Sequence, residues 1–370
     1  MNFLLVLEWL IKGFVWAMVL LGGFAYLTLY ERKALARIQS RVGPNRAGPW
    51  GILQPIADAF KLIFKEELTP ATADKLIFTL APVITVVPAV IITAVVPWGP
   101  SFDVFGYHLN LYIADINVGV LYIMSIASIA VYGIVLAGWS SNNKYAMLGG
   151  LRSTAQMISY EIALGLSFVS AILLAGSMRM LDIVSAQGGY WFQFIPKWFV
   201  VLQPVGTGIF LIATLAEVNR SPFDMPEAEQ ELTAGYHTEY SGMKFAMFYL
   251  GEYGHAFAYS CIIATLFLSG WQGPLLPPVI WLLIKVMMVF FVIVWMRSTL
   301  PRLRVDQLMS FAWKGLLPMA IINLFVIAAE VLWLPAMMPW IMVVMNFIFA
   351  GVLILLWSRL FTLGGGRVEV

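Results

Sequence analysis

Apolar residues fill nine stretches of the chain, at roughly 3–29, 76–98, 118–139, 157–176, 198–216, 245–269, 277–296, 312–334 and 338–361. Each approaches the roughly 20 residues that a helix needs to cross a bilayer. Lipid gives backbone amides no partners, so runs of this length predict helices. A different pattern fills 50–66, where Ile52, Ile56, Phe60 and Ile63 recur at helical spacing while Asp58, Lys61 and Lys65 face away. That pattern predicts a helix lying along the membrane surface, apolar side down. Gly43, Pro44, Gly48, Pro49 and Gly51 predict tight turns ahead of it. The fold class is therefore an all-α polytopic membrane protein, with about nine transmembrane helices and one interfacial amphipathic helix after the first. No stretch between spans is long enough for a separate soluble domain, so residues 1–370 read as one integral membrane domain.

Composition agrees: 61% of residues are hydrophobic and 11% charged. The first apolar run is too long, and lacks a small-residue cleavage site, for a removable signal peptide. A net charge of +2 says nothing of nucleic acid, but its distribution sets topology. With nine alternating spans, every Lys and Arg except Lys12, Arg179, Lys197 and Lys285 shares one side with the C-terminus. Positive loops mark the cytoplasmic side, which puts the N-terminus outside and the C-terminus inside. Cys261 is the only cysteine, which leaves no disulfide and no thiolate cluster for iron and sulfur. His108, His237 and His255 fall in three different segments. Glu252-x-x-His255 matches half of a di-iron site, and no second copy exists. The chain is expected to bind no metal and no redox cofactor.

Ionisable residues inside the spans carry the chemistry. Glu161, Glu217, Glu252 and Lys285 lie in or near four different apolar runs. Such residues cost a few kcal/mol each in lipid and normally face a protein interior or a water-filled path, as proton relays do. Pairing between helices is the simpler role, but one lysine cannot neutralise three glutamates. The loop from 217 to 244 adds Asp224, Glu227, Glu229, Glu231 and Glu239 against the single arginine Arg220 before Lys244 closes it. Ser221-x-x-Asp224 with Pro222 at a first helical position is a capping pattern. It accounts for Asp224, and leaves Glu229, Glu231 and Glu239 unexplained. In a helix, Asp224, Glu227 and Glu231 share one face and repel. The rigid, basic segment that follows the first span, with Glu31, Arg32 and Lys33 at its start, suggests docking to another protein and the rim of an opening into the bilayer.

Four segments carry a resemblance: "ERKALARIQSRVGPNRAGPWGILQPIADAFKLIFKE", "SNNKYAMLGGLRSTAQMISYEIALGL", "LAEVNRSPFDMPEAEQELTAGYHTEYSGMKFAMFYLGEY" and "LPRLRVDQLM". In them the chain resembles the H-subunit (mitochondrial subunit 1) family of respiratory complex I, the NADH-quinone oxidoreductase. The stretch 338–361 resembles an extra helix of some bacterial members, and with it a location in the bacterial plasma membrane. The resemblance implies a membrane subunit that forms much of the quinone chamber, with Glu31, Arg32, Lys33, Asp58 and Phe223 bordering the chamber and its lipid-facing entrance. Arg41 and Arg46 would meet hydrophilic-arm subunits, and small membrane subunits would lead on to antiporter-like ones. Quinone is the implied substrate; NADH, FMN and iron–sulfur clusters are implied in partner subunits. A proton or electrostatic relay would run through Glu161, Glu217, Asp224, Glu227, Glu229, Glu231 and Glu252, with Arg220 and Arg297 as countercharges; Lys285, read from its place in an apolar run, is added to that set. A departure is the third span, which lacks the acid that some bacterial members place there.

Two other readings make different predictions. A membrane-bound hydrogenase subunit would copurify with hydrogenase metal-site subunits. A stand-alone transporter would show inverted repeats, and the two halves show none.

Overall fold

The computed structural model describes residues 3–104, 107–191, 195–225, 234–334 and 339–360. Helix α1 (Phe3–Ile38) is longer than the apolar run that predicted it. Glu31, Arg32, Lys33, Ala34, Leu35 and Ala36 are all compatible with helix, so the span continues past the point where apolarity ends. It stops at Ser40, which has a positive φ. After turns at Pro44–Gly51, the surface helix α2 (Gln54–Ile63) leaves Ile56, Phe60 and Ile63 exposed. Its Asp58 turns the other way, to Arg32 of α1 at 2.7 Å.

The remaining helices run back and forth: α3 (Lys75–Thr93), α4 (Gly119–Ser140), α5 (Lys144–Ala175), short α6 (Met180–Ala186), α7 (Phe199–Leu202) and α8 (Pro204–Glu217). They continue with α9 (Gly242–Phe267), α10 (Pro278–Thr299), α11 (Val305–Ser310), α12 (Leu317–Trp333) and α13 (Pro339–Leu360). Among the described residues, seven helices are long and apolar enough to cross a membrane. Of the other two predicted spans, α8 is apolar but shorter, and α9 has 26 residues that include Lys244, Glu252 and His255. Two minute antiparallel hairpins, Phe102–Val104 with Tyr107–Leu109 and Tyr190–Trp191 with Ile195–Pro196, decorate one end of the bundle.

Two predicted spans are altered by local chemistry. The run at 198–216 is broken at Gln203, because Pro204 has no N–H and pushes the residue before it out of the helical region. The run at 312–334 begins earlier, at α11, and passes through a π-helical turn at Phe311–Leu316 before α12. The capping prediction also fails at Pro222, which lies in a turn with Ser221 and not at a first helical position.

Large side chains are buried where α5, α8 and α9 meet. Tyr160 and Phe168 of α5, Phe210 of α8 and Tyr259 and Phe267 of α9 are fully or almost fully buried. Gly149 of α5 meets Gly235 so closely that a Cβ on Gly149 would sit 2.7 Å from the Gly235 Cα. Only glycine permits that approach, and it fixes the end of the 217–244 segment against the bundle.

Candidate functional site

Four segments far apart in sequence bring charges together. The consecutive residues Glu31, Arg32 and Lys33 point in different directions, since neighbours on a helix are about 100° apart. Arg32 takes Asp58 of α2, and Lys33 donates to the carbonyl of Trp50. Glu31 alone turns inward, with 2% of its surface exposed. It accepts from Arg297, in the last turn of α10, and lies 3.4 Å from Arg220, just after α8. Arg220 reaches Glu252 of α9 at 3.1 Å, and its guanidinium stands 4.5 Å from the ring centre of Tyr253. The result is an alternating row, Arg297–Glu31–Arg220–Glu252, with two charges of each sign. Burying an ion away from water costs several kcal/mol, which a partner of opposite sign offsets. The aromatic face of Tyr253 adds a further favourable contact for the cation.

Glu217 ends α8 and is 4% exposed, with Oε2 lacking a hydrogen bond. It lies within electrostatic range of Glu161 on α5, which accepts from Ser128 of α4. Between Glu252 of the row and Glu217 lies a cavity of about 40 Å³, whose lining also includes His255, Thr85 and Asn219. A water needs about 10–15 Å³ of such space, so the cavity has room for a few waters beside Glu252 and Glu217. His255 binds the Gly251 carbonyl through Nδ1 at 2.8 Å and leaves Nε2 without a partner.

The chain entering the acidic loop is held from α5. The side-chain amide of Gln156 donates to the carbonyls of Ala216 and Phe223, both at 2.7 Å. At the far end of the loop, Asn143 donates to Glu239 at 2.7 Å, and Tyr240 stacks on Phe78 with centroids 3.9 Å apart. Burial pushes the Tyr240 hydroxyl up to about 12 and the His237 imidazole down to about 4, so both are neutral at pH 7.

A second cavity, a groove of about 1070 Å³, lies beside the end of α1 and the turns that follow. Its walls include Tyr30, Lys33, Arg37, Arg41, Trp50 and, from α10, Phe291. Of the residues expected around a chamber, Lys33 lines this groove. Glu31 is behind it in the charge row, and Arg32 and Asp58 pair outside it. Phe223 is buried against Tyr160, with centroids 5.1 Å apart. Arg41 and Arg46 are exposed. Asp224 is half-buried, and Glu227, Glu229 and Glu231 lie outside the described residues.

Lys285 stands apart. It is 2% exposed and donates to the carbonyls of Leu268, Gly270 and Gln272 at 2.7–2.8 Å. Twelve residues of α10 separate it from Arg297, about 18 Å along the axis at 1.5 Å per residue. The structure therefore does not bring it to the acids.

A family model described as NADH dehydrogenase matches residues 11–328. The H subunit of the NADH-quinone oxidoreductase of Dehalococcoides mccartyi strain CBDB1 is 48% identical over 99% of this chain and 98% of its own length. The chain belongs to the H-subunit family of NADH-quinone oxidoreductase. Another H subunit, from Thermomicrobium roseum, is 49% identical over 89% of this chain and 97% of its own. The H 2 subunit from Syntrophobacter fumaroxidans is 51% identical over 85% and 93%. Apolar helices and family together make this a multi-pass membrane protein.

Within that family frame, sequence reasoning found Glu31, Arg220, Glu252 and Arg297 without their pairing. It treated His255 only as a metal ligand, although the i, i+3 spacing already placed it on the face of Glu252. It missed Gln156 and Tyr253. An amide and a phenol in apolar helices carry no charge signal, and their partners are backbone carbonyls and an arginine that only packing supplies.

Proposed function

We propose that this chain is the membrane subunit of a proton-translocating NADH:quinone oxidoreductase beside which quinone is reduced. It would form the wall of the quinone chamber and its lipid entrance, and would pass charge changes there toward proton translocation. The observation that carries the reading is the buried row from Arg297 and Glu31, behind the groove, through Arg220 to Glu252 and the small cavity that Glu252 shares with Glu217. Opposite charges about 4 Å apart interact by ~4 kcal/mol at an effective dielectric near 20. A charge that appears or disappears at the groove is thus felt along the row.

In this reading the lipid-facing groove admits quinone past α2, and Arg41 and Arg46 meet hydrophilic-arm subunits. NADH, FMN and the iron–sulfur clusters belong to those partners. Glu217 and Glu161 take and release protons or respond electrostatically, with Asp224, Glu227, Glu229 and Glu231 continuing the relay toward neighbouring membrane subunits. In this reading the acidic loop and the C-terminus face the cytoplasm of a bacterial cell, which the distribution of basic residues supports.

The test is Glu217→Gln, with Glu161→Gln beside it, in the assembled complex. Quinone reductase activity and pumping should fall at least tenfold while NADH oxidation by an artificial acceptor continues. Full coupled activity in both variants overturns the relay.

A further inference from the structure

One acid inside an apolar run has no place in the charge row. Glu330, in the last turn of α12, is 4% exposed, and its Oε2 accepts from Asn346 Nδ2 of α13 at 2.7 Å. Asn346 is 1% exposed. The other oxygen of each group, Glu330 Oε1 and Asn346 Oδ1, is buried without a hydrogen bond. Both unpartnered atoms therefore belong to one carboxyl and one amide that already touch.

No cation balances this carboxyl: among the described residues Glu330 forms no ion pair. The rest of α12 carries no titratable residue, and α13 has only Arg359, thirteen residues from Asn346 and about 20 Å along the axis. Of the segments packed against these helices, α7 has no titratable residue and α8 only Glu217, its last. The second half of α5, after Glu161, has none, and the π-helical turn has only Lys314, beyond the other end of α12. An ionised carboxylate buried alone costs far more than the neutral acid.

A proton on Oε1 fills both gaps at once. The terminal torsions of Glu and Asn side chains are soft. Oε1–H can turn to Oδ1 while Nδ2–H stays on Oε2, so the two planar groups close a ring of two hydrogen bonds. We propose that Glu330 holds a permanent proton, and that the acid–amide pair it forms with Asn346 docks α13 on the bundle.

The composition of α13 shows why it needs such a pair. Lipid tails are as apolar as its side chains, so apolar contact alone gives the helix little reason to associate. Among its described side chains only Met342, Asn346 and Leu353 are buried. Offsets of four and seven residues put all three on one face, and Asn346 supplies the polar bond. Where Glu161 and Glu217 are proposed to exchange protons, Glu330 keeps its own.

Docking can be followed in the assembled complex by placing a cysteine on that face, Met342→Cys. It reacts with a maleimide only when α13 moves away, and peptide mass spectrometry separates it from the buried Cys261. In this background Asn346→Leu should speed the reaction about three- to twentyfold, the range that interhelical hydrogen bonds are worth in a membrane. Asn346→Ser, which is polar but cannot close the ring, serves if the leucine variant does not assemble. Glu330→Gln, whose neutral amide closes the same ring, should react within about twofold of the parent at pH 7. An unchanged rate in the Asn346 variant overturns the docking role. Glu330→Gln as fast as Asn346→Leu, or several times slower than the parent because a buried charge has been removed, overturns the permanent proton.

Discussion

Arg220 and Lys285 are both cations buried in an apolar bundle, and they are stabilised by opposite means. Arg220 is shared between two carboxylates, Glu31 and Glu252, that belong to other helices. Lys285 is held by three backbone carbonyls of one loop, with the rings of Trp198 and Trp281 beside it. Carbonyl dipoles are fixed by the fold and carry no proton, so the Lys285 end is a clasp. Carboxylates gain and lose charge, so the Arg220 end has states to move between. A buried cation is therefore a sign of chemistry only when its partners can titrate or exchange.

The largest effect is expected from Arg220→Met. It takes the arginine from Glu252 and leaves Glu31 with Arg297 alone, and breaking a buried pair by removing one partner costs about 3–5 kcal/mol. The complex should melt markedly lower and lose coupled turnover, as read by thermal unfolding and by quinone reduction in proteoliposomes. Turnover equal to the parent would erase the contrast with Lys285.

Next is pH, which acts at the acidic-loop end. His237 titrates at about 4 in the folded protein because it is buried, against about 6.5 unfolded. Its contribution is fully present above pH 6.5 and is lost as pH falls through that value toward 4. A shift of that size corresponds to about 3 kcal/mol. His237→Phe should flatten the dependence of melting temperature on pH across this window, provided the neighbouring rings of Tyr236 and Phe245 accept the new side chain.

Lys285→Met should cost less, about 2 kcal/mol, for the loss of hydrogen bonds to a charged group. Coupled activity of the molecules that assemble should stay at the parent level. A loss of pumping with normal stability would instead make the clasp part of the coupling path.

Smallest is Arg32→Ala. Its pair with Asp58 has an arginine half-exposed to solvent, and such pairs contribute about 0–1 kcal/mol. Melting should hardly change; a large drop would mean that α2 is held to α1 mainly by this contact.

How far the sequence reads toward the site differs from residue to residue. Glu161, Glu217 and Glu252 stand out because acids in apolar runs are costly wherever they point. Arg297 enters only through resemblance, since it sits at a helix end where charge is ordinary; Glu31 stood out only as part of the charged exit of the first span. Gln156 and Tyr253 give no sequence signal: an uncharged amide or phenol in a span reads as one more polar residue. Lys285 shows the converse, because its charge suggested a glutamate partner and its partners are carbonyls.

The sequence by itself determined the spans, the surface helix and the candidate acids, because hydrophobic length and periodicity are local properties of the chain. Packing alone decided that Glu31 turns inward, that Arg220 lies between Glu31 and Glu252, and that Arg297 meets Glu31 across 266 positions. Which way a side chain faces around a helix, and what stands opposite, depends on how helices cross. That is a property of the assembled bundle, and it separates a row of exchangeable charges from a clasp.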